Sequence, residues 1–140
     1  MNPVNGSGMK RAALLNDLSC FGKCSLTVAA PVVSAWGVEA VPLPTAVLSA
    51  QTAFPGYIMR VFTRETEEFS AQWETLGLEF DCIYTGFFAN GAQIDFARRF
   101  IERFAKDDTL ILVDPVLGDN GALYGCFGPE QVEKMRQLCR

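Results

Sequence analysis

The chain has 140 residues, of which 49% are apolar, and a formal net charge of −4. This composition suits one globular core and excludes a disordered chain. The 12 basic and 16 acidic residues form no basic run, so neither nucleic acid nor an anionic membrane is an expected partner. No apolar run approaches the roughly 20 residues of a membrane-spanning helix, and the first residues lack the apolar centre of a secretory signal. We therefore expect a cytoplasmic protein.

The sequence contains no histidine, which limits the chemistry it can perform. Ser-His and Cys-His nucleophilic catalysis and the zinc hydrolase motifs are excluded. The five cysteines are an odd number without a disulfide pattern, so we expect free thiols. Cys20 and Cys24 could form half of a metal site, but no second pair completes it. Any chemistry must depend on carboxylates, hydroxyls, thiols, lysines, backbone amides or a bound cation.

The first half of the chain predicts a leader followed by alternating strands and helices. Residues 1–10, rich in Asn, Gly and Ser, are predicted to form a mobile leader, and residues 11–140 to form one domain. Strands are predicted at 12–15 and 38–43, and helices at 25–37 and 64–77. We expect the second helix to bury the face that carries Phe69, Trp73 and Leu76.

The second half continues the alternation. Short apolar segments at 82–86 and 109–113 are typical of central strands buried on both faces. Apolar residues at positions 94, 97, 100, 101 and 104 predict an amphipathic helix, and Pro129 favours the start of a last helix. The pattern predicts an α/β fold with a mostly parallel sheet and right-handed crossovers.

Polar residues follow three of the predicted strands, at the edge where parallel sheets bind ligands. Asn16, Asp17 and Ser19 follow the first strand, Thr85 and Gly86 follow the "CIY" segment, and Asp114 follows "TLILV". The glycine-bearing turn after Asp17 could expose backbone amides to an anion. We expect Asp17 to be functional and Ser25 to cap the following helix.

A hydroxyl-rich loop, "TAVLSAQTAFPGY" at residues 45–57, offers Thr45, Ser49, Gln51 and Thr52 to a ligand. Serine and threonine are also ordinary loop residues, so this segment alone decides little.

Two carboxylates, Asp114 and Asp119, lie in "TLILVDPVLGDNGALY". A carboxylate at the end of an apolar strand, with a second one nearby, suits a hydrated Mg²⁺ attached to phosphates. The alternative for Asp119 is a plain turn residue, because "GDNG" favours a turn. The functional interpretation is preferred for Asp114 and left open for Asp119.

Three segments together closely resemble the pyridoxal kinases of the ribokinase-like superfamily: "LLNDLSCFGKCSLTVAAPVVSAWGVEAVPLPTAVLSAQT", "DCIYTGF" and "VDPVLGDNGALY". The resemblance runs from about residue 11 to the last residue. It implies a three-layer ribokinase-like fold, incomplete in this chain. It also implies ATP-dependent phosphorylation of the 5′-hydroxymethyl group of pyridoxal, pyridoxine or pyridoxamine, with ATP, Mg²⁺ and a monovalent cation such as K⁺. Such transfer depends on positioning and on charge neutralisation.

The resemblance also implies roles for particular residues. Asp17 and Cys24 match positions in the vitamer pocket, Thr52 matches a threonine near the ring, and Phe87 occupies the position of an aromatic residue beside the substrate. Asp114 and Asp119 match acids near the nucleotide phosphates, where they would meet the metal indirectly, through water. Family members are typically homodimers, so a homodimer is expected.

Three departures from the family pattern stand out. Gln51 replaces a histidine found in many members, and "TAFPG" replaces a more glycine-rich loop. The chain also resembles only the N-terminal half of such kinases, so the "GTGD" type segment, with its aspartate base and anion hole, would lie beyond residue 140. No catalytic residue is therefore assigned within this chain, and the chain alone is expected to be inactive. The alternatives are a hydroxymethylpyrimidine-type kinase and a non-catalytic binding module.

Overall fold

The computed structural model describes residues 8–140, so most of the predicted leader lies outside the described residues. The strands are β1 (Arg11–Ser19), β2 (Glu39–Leu48), β3 (Met59–Val61), β4 (Cys82–Thr85), β5 (Leu110–Val113), β6 (Gly118–Asp119) and β7 (Ala122–Leu123). The helices are α1 (Leu26–Ala35), α2 (Thr63–Thr75), α3 (Gly91–Phe104) and α4 (Pro129–Leu138). None of the helices described is long and apolar enough to cross a membrane.

Five strands form one mostly parallel sheet in the order β3-β2-β1-β4-β5, which confirms the predicted α/β class. The strands β2, β1, β4 and β5 are parallel, and β3 is antiparallel to β2. The chain winds outward from β1 to β2, then returns to the other side of β1 through β4. The carboxyl ends of β1 and β4 therefore form a topological switch point, where open α/β sheets bind ligands.

Aromatic side chains build the larger of two apolar cores, on the sheet face that α3 covers. The amphipathic helix α3 buries Ile94, Phe96, Ala97, Phe100 and Phe104, in agreement with its periodicity. The rings of Phe80, Phe100 and Phe104 contact one another within this core. Each buried phenylalanine contributes roughly 1.5–3 kcal/mol. The opposite face has a smaller core in which α1 packs on β1.

The prediction that the "TLILV" strand is buried on both faces was wrong. Leu110 and Leu112 on β5 are 62% and 52% exposed. Among the described residues β5 pairs only with β4, and α1 contacts β1 and β2 instead. An apolar segment indicates that a strand can be buried, but which neighbours cover it is decided by tertiary structure.

The predicted buried face of α2 was also largely wrong. Phe69 and Leu76 are 43% and 41% exposed, and only Trp73 packs against the core. The buried positions are instead Thr66 and Ser70. Their hydroxyls donate to carbonyls of the same helix, which satisfies them without a distant partner.

Two strands extend further than predicted. The strand β1 includes the polar residues Asn16 to Ser19, and β2 includes Thr45, which was assigned to a loop. Pro42 and Pro44 are compatible with β2 because, among residues 8–140, β3 pairs only with Ala46 to Leu48 and so needs no amide from either proline. The short strand β3 and the hairpin of β6 and β7 were not predicted.

A buried glutamine connects α3 to the sheet. The Gln93 side chain is fully buried; its Nε2 donates to the Thr45 carbonyl at 2.7 Å, and its Oε1 accepts from the Ala89 amide at 2.8 Å. The Thr45 hydroxyl in turn donates to the Phe87 carbonyl at 2.7 Å. The start of α3, the strand β2 and the segment after β4 are thus held together by hydrogen bonds.

Replacing Gln93 should therefore destabilise the chain. Gln93→Leu keeps the approximate volume but leaves the Ala89 amide unpaired and removes one of the two hydrogen bonds to the Thr45 carbonyl, which the Phe62 amide still contacts. Unfolding free energy should therefore fall by about 1–3 kcal/mol. Urea denaturation followed by circular dichroism measures the change. The control Gln72→Leu, at an exposed position of α2, should stay within about 0.5 kcal/mol; equal effects at the two positions would contradict this role of Gln93.

Candidate functional site

The predicted site residues approach one edge of the sheet because the parallel strands all end there. Asp17 lies near the end of β1, Phe87 two residues after β4, and Asp114 directly after β5. The order of the strands places β4 between β1 and β5. Adjacent strands lie about 4.8 Å apart, so the strands that carry Asp17 and Asp114 are about 10 Å apart.

Asn16 fixes the geometry of the switch point. Its Oδ1 accepts from the Asp17 amide at 2.9 Å and from the Phe87 amide at 2.8 Å. The side chain crosses directly over Gly86, where an added Cβ would lie 2.2–2.6 Å from the Asn16 side-chain atoms. Glycine is therefore required at position 86, since any larger residue would displace the side chain that joins β1 to β4.

Asp17 is a buried carboxylate without a cationic partner. Its side chain is 5% exposed, and Oδ2 accepts from the Ser19 hydroxyl at 2.9 Å. No ion pair within residues 8–140 includes it. Burying a carboxylate costs free energy unless it gains polar partners. The register between β1 and β2 also shifts at Asp17, and such irregularities are frequent next to active sites.

Two loops meet beyond the ends of β1 and β2. The Gln51 amide donates to the Phe21 carbonyl at 2.8 Å, and the rings of Phe21 and Phe54 contact edge to face at 5.0 Å. The two loops carry the predicted vitamer residues Cys24, which is half-buried, and Thr52, which is exposed. These contacts hold the two loops together. What the Cys24 and Thr52 side chains bind stays a prediction.

Ser25 occupies the N-cap position of α1, but the predicted side-chain cap is absent. Its φ is 53° and its ψ is −128°, and its side chain makes no capping hydrogen bond. The usual N-cap residue has β-region angles that aim its side-chain oxygen at the helix amides. The positive φ of Ser25 is incompatible with that geometry, so the prediction of a cap was wrong.

Phe87 is held by its backbone on both sides. Its amide donates to Asn16 and its carbonyl accepts from Thr45. The ring is half-buried and lies nearly perpendicular to the Phe127 ring, with centroids 6.2 Å apart. Thr85, which was grouped with the polar residues of this edge, is fully buried, and its hydroxyl has no hydrogen-bond partner among residues 8–140.

Asp114 extends the site to the end of β5. Its amide donates to the Thr85 carbonyl at 3.0 Å, while its side chain is exposed. The Tyr84 hydroxyl on the adjacent strand donates to Asp114 Oδ2 at 3.4 Å. Burial raises the pKa of Tyr84, and the negative charge and hydrogen bond of Asp114 raise it further. Sequence analysis did not single out Tyr84, because only the pairing of β4 with β5 brings it to Asp114.

Asp119 lies in the β6–β7 hairpin. Its Oδ1 accepts from the Asn120 amide at 2.8 Å, and Asn120 and Gly121 have φ angles of 50° and 80°. Two consecutive left-handed residues form the two-residue turn that matches strand twist in a hairpin. The geometry fits the interpretation of Asp119 as a turn residue and does not test a second role. No group of three or more His, Cys, Asp or Glu residues in the described part of the chain could hold a metal ion.

The fold matches that of known kinases. The structure superposes on a candidate phosphomethylpyrimidine kinase from Bacteroides thetaiotaomicron with a TM-score of 0.92 and 44% identity, covering 95% of this chain and 46% of that one. A second crystal form of that protein contains pyridoxal. The pyridoxal kinase from Lactobacillus plantarum superposes with a TM-score of 0.82 and 34% identity, covering 93% of this chain and 45% of that one.

The pyridoxal kinase from Entamoeba histolytica shares the fold alone, at 19% identity and a TM-score of 0.81. No family model and no curated protein sequence matches the chain.

The mostly parallel sheet and the similarity to these structures identify the chain as part of a ribokinase-like α/β fold. The predicted resemblance to pyridoxal kinases is confirmed for that part, and the chain spans about half the length of the solved structures that it matches.

The close approach at Gly86 leads to a stability prediction. Gly86→Ala places a Cβ against Asn16, so unfolding free energy should fall by about 1–3 kcal/mol. The control Gly125→Ala has nothing within 4 Å of the added Cβ and should change little. Chemical denaturation of the two variants measures the difference. If Gly86→Ala were as stable as its control, the close contact between the Asn16 side chain and Gly86 would not be required for stability.

Tyr84 should make stability depend on pH in the alkaline range. Because its pKa is raised in the folded chain, the folded state retains the proton after the unfolded state has lost it near pH 10. The contribution is complete below about pH 10 and is lost as pH rises through the folded pKa. Tyr84→Phe should lose stability less steeply above pH 10 than the unmodified chain.

Denaturation at several pH values between 9 and about 11 measures this slope. Asp114→Asn should lower the pKa of Tyr84, as followed by tyrosinate absorbance, because it removes the negative charge. Tyr57→Phe serves as the control, since Tyr57 lies in the loop after β2. If stability fell equally steeply with pH in the unmodified chain, in Tyr84→Phe and in Tyr57→Phe, the raised pKa of Tyr84 would be contradicted. An unchanged Tyr84 pKa in Asp114→Asn would contradict the coupling to Asp114.

Proposed function

We propose that this chain forms the substrate-facing half of a kinase that transfers the ATP γ-phosphate to the 5′-hydroxymethyl group of pyridoxal, pyridoxine or pyridoxamine. The buried Asp17 carboxylate, placed at the switch point without a cationic partner, carries the proposal. A vitamer ring with polar substituents would supply further hydrogen-bond donors to this carboxylate. The pyridoxal in the second crystal form of the Bacteroides protein, which matches this chain at 45% identity, supports this choice of ligand class.

The substrate side of the proposed site comprises Asp17, Cys24, Thr52 and Phe87. Asp17 would accept hydrogen bonds from the ring substituents, and the half-buried Phe87 would pack beside the ring. Cys24 and Thr52 belong to the two joined loops after β1 and β2. The hydrogen bond between Gln51 and Phe21 would help to hold these loops at the ring.

The phosphate side of the proposed site comprises Asp114 and Asp119. Exposed carboxylates suit a cation that keeps most of its water, as Mg²⁺ does when it binds nucleotide phosphates. The phosphate side as proposed includes two acids from this chain, so the phosphates and water would supply the remaining ligands. The bound Mg²⁺ and a monovalent cation such as K⁺ would neutralise phosphate charge. The Tyr84 hydroxyl would help to orient Asp114.

Under this proposal the other half of the kinase fold supplies the anion hole and the base that activates the substrate hydroxyl. The residues of this chain bind and orient the vitamer and the phosphates, and they exclude water on the vitamer side through the buried switch point. Positioning and electrostatic stabilisation account for most of the rate in phosphoryl transfer. Neither half would be expected to turn over substrate alone.

Hydroxymethylpyrimidine is the second candidate substrate. The observation that favours it is the name of the Bacteroides protein, a candidate phosphomethylpyrimidine kinase. A planar heterocycle with a hydroxymethyl group has the same general demands as pyridoxal, and a shared fold does not decide between them. A purely non-catalytic binding module is the third possibility.

A chimera tests the proposed activity. This chain replaces the matching half of the Bacteroides protein, and ATP-dependent phosphorylation of pyridoxal and of hydroxymethylpyrimidine is assayed. We expect pyridoxal phosphorylation with the higher kcat/KM. Asp17→Asn should raise the KM for pyridoxal about tenfold or more, because an amide cannot replace a carboxylate acceptor fully, whereas Asp114→Asn should mainly lower kcat or raise the KM for ATP.

The matched control for both variants is Asp108→Asn, an exposed acid in the loop before β5. It should leave both kinetic constants within about twofold. A folded chimera that phosphorylates only hydroxymethylpyrimidine would overturn the substrate, and one that phosphorylates neither would favour the binding module. Turnover of ATP and pyridoxal by the 140-residue chain alone would contradict the division of labour between the halves.

A further inference from the structure

The loop between β2 and β3, residues 49–58, is closed at its base by two hydrogen bonds. The Ser49 amide donates to the Ile58 carbonyl at 2.9 Å, and the Ile58 amide donates to Ser49 Oγ at 2.8 Å. Because β3 pairs with the end of β2, the base of the loop also belongs to the sheet. The middle of the loop, which carries Thr52, needs other contacts to hold one position beside the site.

Those contacts come from the segment between β1 and α1. The Gln51 amide donates to the Phe21 carbonyl at 2.8 Å, and the Phe54 ring meets the Phe21 ring edge to face, with centroids 5.0 Å apart. Thr52 lies between Gln51 and Phe54 in the sequence. Both sides of Thr52 are therefore held by one residue of the other loop. We call this arrangement of Phe21, Gln51 and Phe54 the aromatic clasp.

Gly22 fits the aromatic clasp because it has no side chain. A Cβ at this position would overlap Gln51 Cγ and would lie 3.1 Å from Phe54 Cε2. The φ of Gly22 is 105°, in the left-handed region that glycine adopts at little cost. The backbone of one loop therefore touches two side chains of the other, and a larger residue at position 22 would push Gln51 away.

The two rings of the aromatic clasp are anchored differently. Phe21 follows Cys20, whose amide donates to the Leu48 carbonyl at 2.8 Å, so the end of β2 holds this part of the backbone. The Phe54 amide donates within its own loop, to the Gln51 carbonyl at 3.0 Å. Phe21 and Phe54 are 62% and 39% exposed. Since such rings add little to a buried core, their contact serves the position of the loop more than the stability of the fold.

We propose that Phe54 is a positioning residue, which closes the aromatic clasp on Phe21 and thereby holds Thr52 beside the vitamer ring. The inference rests on the proposed function, because it takes Thr52 as a contact of the vitamer. Phe54 acts through Thr52 and does not itself touch the substrate. Loss of the clasp would weaken vitamer binding in the ground state and in the transition state alike, which raises KM and leaves kcat nearly unchanged.

The first test needs no substrate. In Phe54→Ala, hydrogen exchange of the Gln51 amide in the 140-residue chain should become about threefold to tenfold faster, because one exposed ring contact is lost. The Ser49 and Ile58 amides at the base of the loop should keep their exchange rates, which shows that the chain stays folded. Gly22→Ala should open the clasp from the other loop, with the same effect on the Gln51 amide.

The second test uses the chimera with the matching half of the Bacteroides protein. Phe54→Ala should raise the KM for pyridoxal about threefold to tenfold, with kcat and the KM for ATP within about twofold. Phe54→Tyr keeps the ring and should restore the KM for pyridoxal.

The matched control is Tyr57→Ala, in the same loop and equally exposed at 39%. Within residues 8–140 the Tyr57 ring contacts no other aromatic ring. This variant should therefore leave both the exchange of the Gln51 amide and the KM for pyridoxal unchanged.

The two readouts separate this inference from the proposed function. Unchanged exchange of the Gln51 amide in Phe54→Ala would overturn the aromatic clasp, whether or not the chimera is active. Faster exchange with an unchanged KM for pyridoxal, or with a fall in kcat alone, would overturn the positioning role. A folded chimera that phosphorylates no pyridoxal would overturn the proposed function and with it the assignment of Thr52, while the exchange rates would still decide the clasp.

Discussion

The arrangement of the site depends on the hydrogen bond between the Asn16 side chain and the Phe87 amide. The bond forms because Gly86 has no side chain, so the Asn16 amide group can lie directly on the backbone after β4. The same oxygen accepts from the Asp17 amide and fixes the residue that we propose to contact substrate. Thr45 and Gln93 extend the hydrogen bonding to β2 and α3. The side chains of Asn16, Thr45 and Gln93 thereby connect β1, β4 and β2 near the proposed site.

The two ends of the proposed site have different dielectric surroundings. Asp17 is buried and accepts a hydrogen bond from Ser19, whereas Asp114 and Asp119 are exposed to water. A buried acceptor discriminates between ligands by their hydrogen-bond donors, since an unpaired polar group is costly there. An exposed carboxylate instead suits a hydrated cation, which exchanges water easily. The asymmetry matches the two ligands that we propose, a heterocyclic alcohol at the buried end and a charged phosphate donor at the exposed end.

Local sequence patterns predicted the elements of the fold well, and they failed where burial depends on distant parts of the chain. The periodicity of α3 predicted its buried residues because one face of one helix meets one core. The apolar pattern of α2 predicted the wrong buried face, because small polar residues, Thr66 and Ser70, occupy the buried positions of this helix. The exposure of β5 and the Asn16–Gly86 contact join segments far apart in sequence, so no local pattern could reveal them. The positions of Asp17 and Asp114 near strand ends could be predicted because strand ends are recognisable, whereas the contact of Tyr84 with Asp114 required the register between β4 and β5.

The open β5 strand has a thermodynamic consequence. If a partner segment binds only the folded chain, mass action adds a stabilising contribution that grows with the ratio of free partner to the dissociation constant, reaching about 2.7 kcal/mol at a hundredfold ratio. The folded population would then depend on the supply of that segment. In one continuous polypeptide the supply is fixed by a high effective concentration, whereas for two separate chains it would vary with their expression.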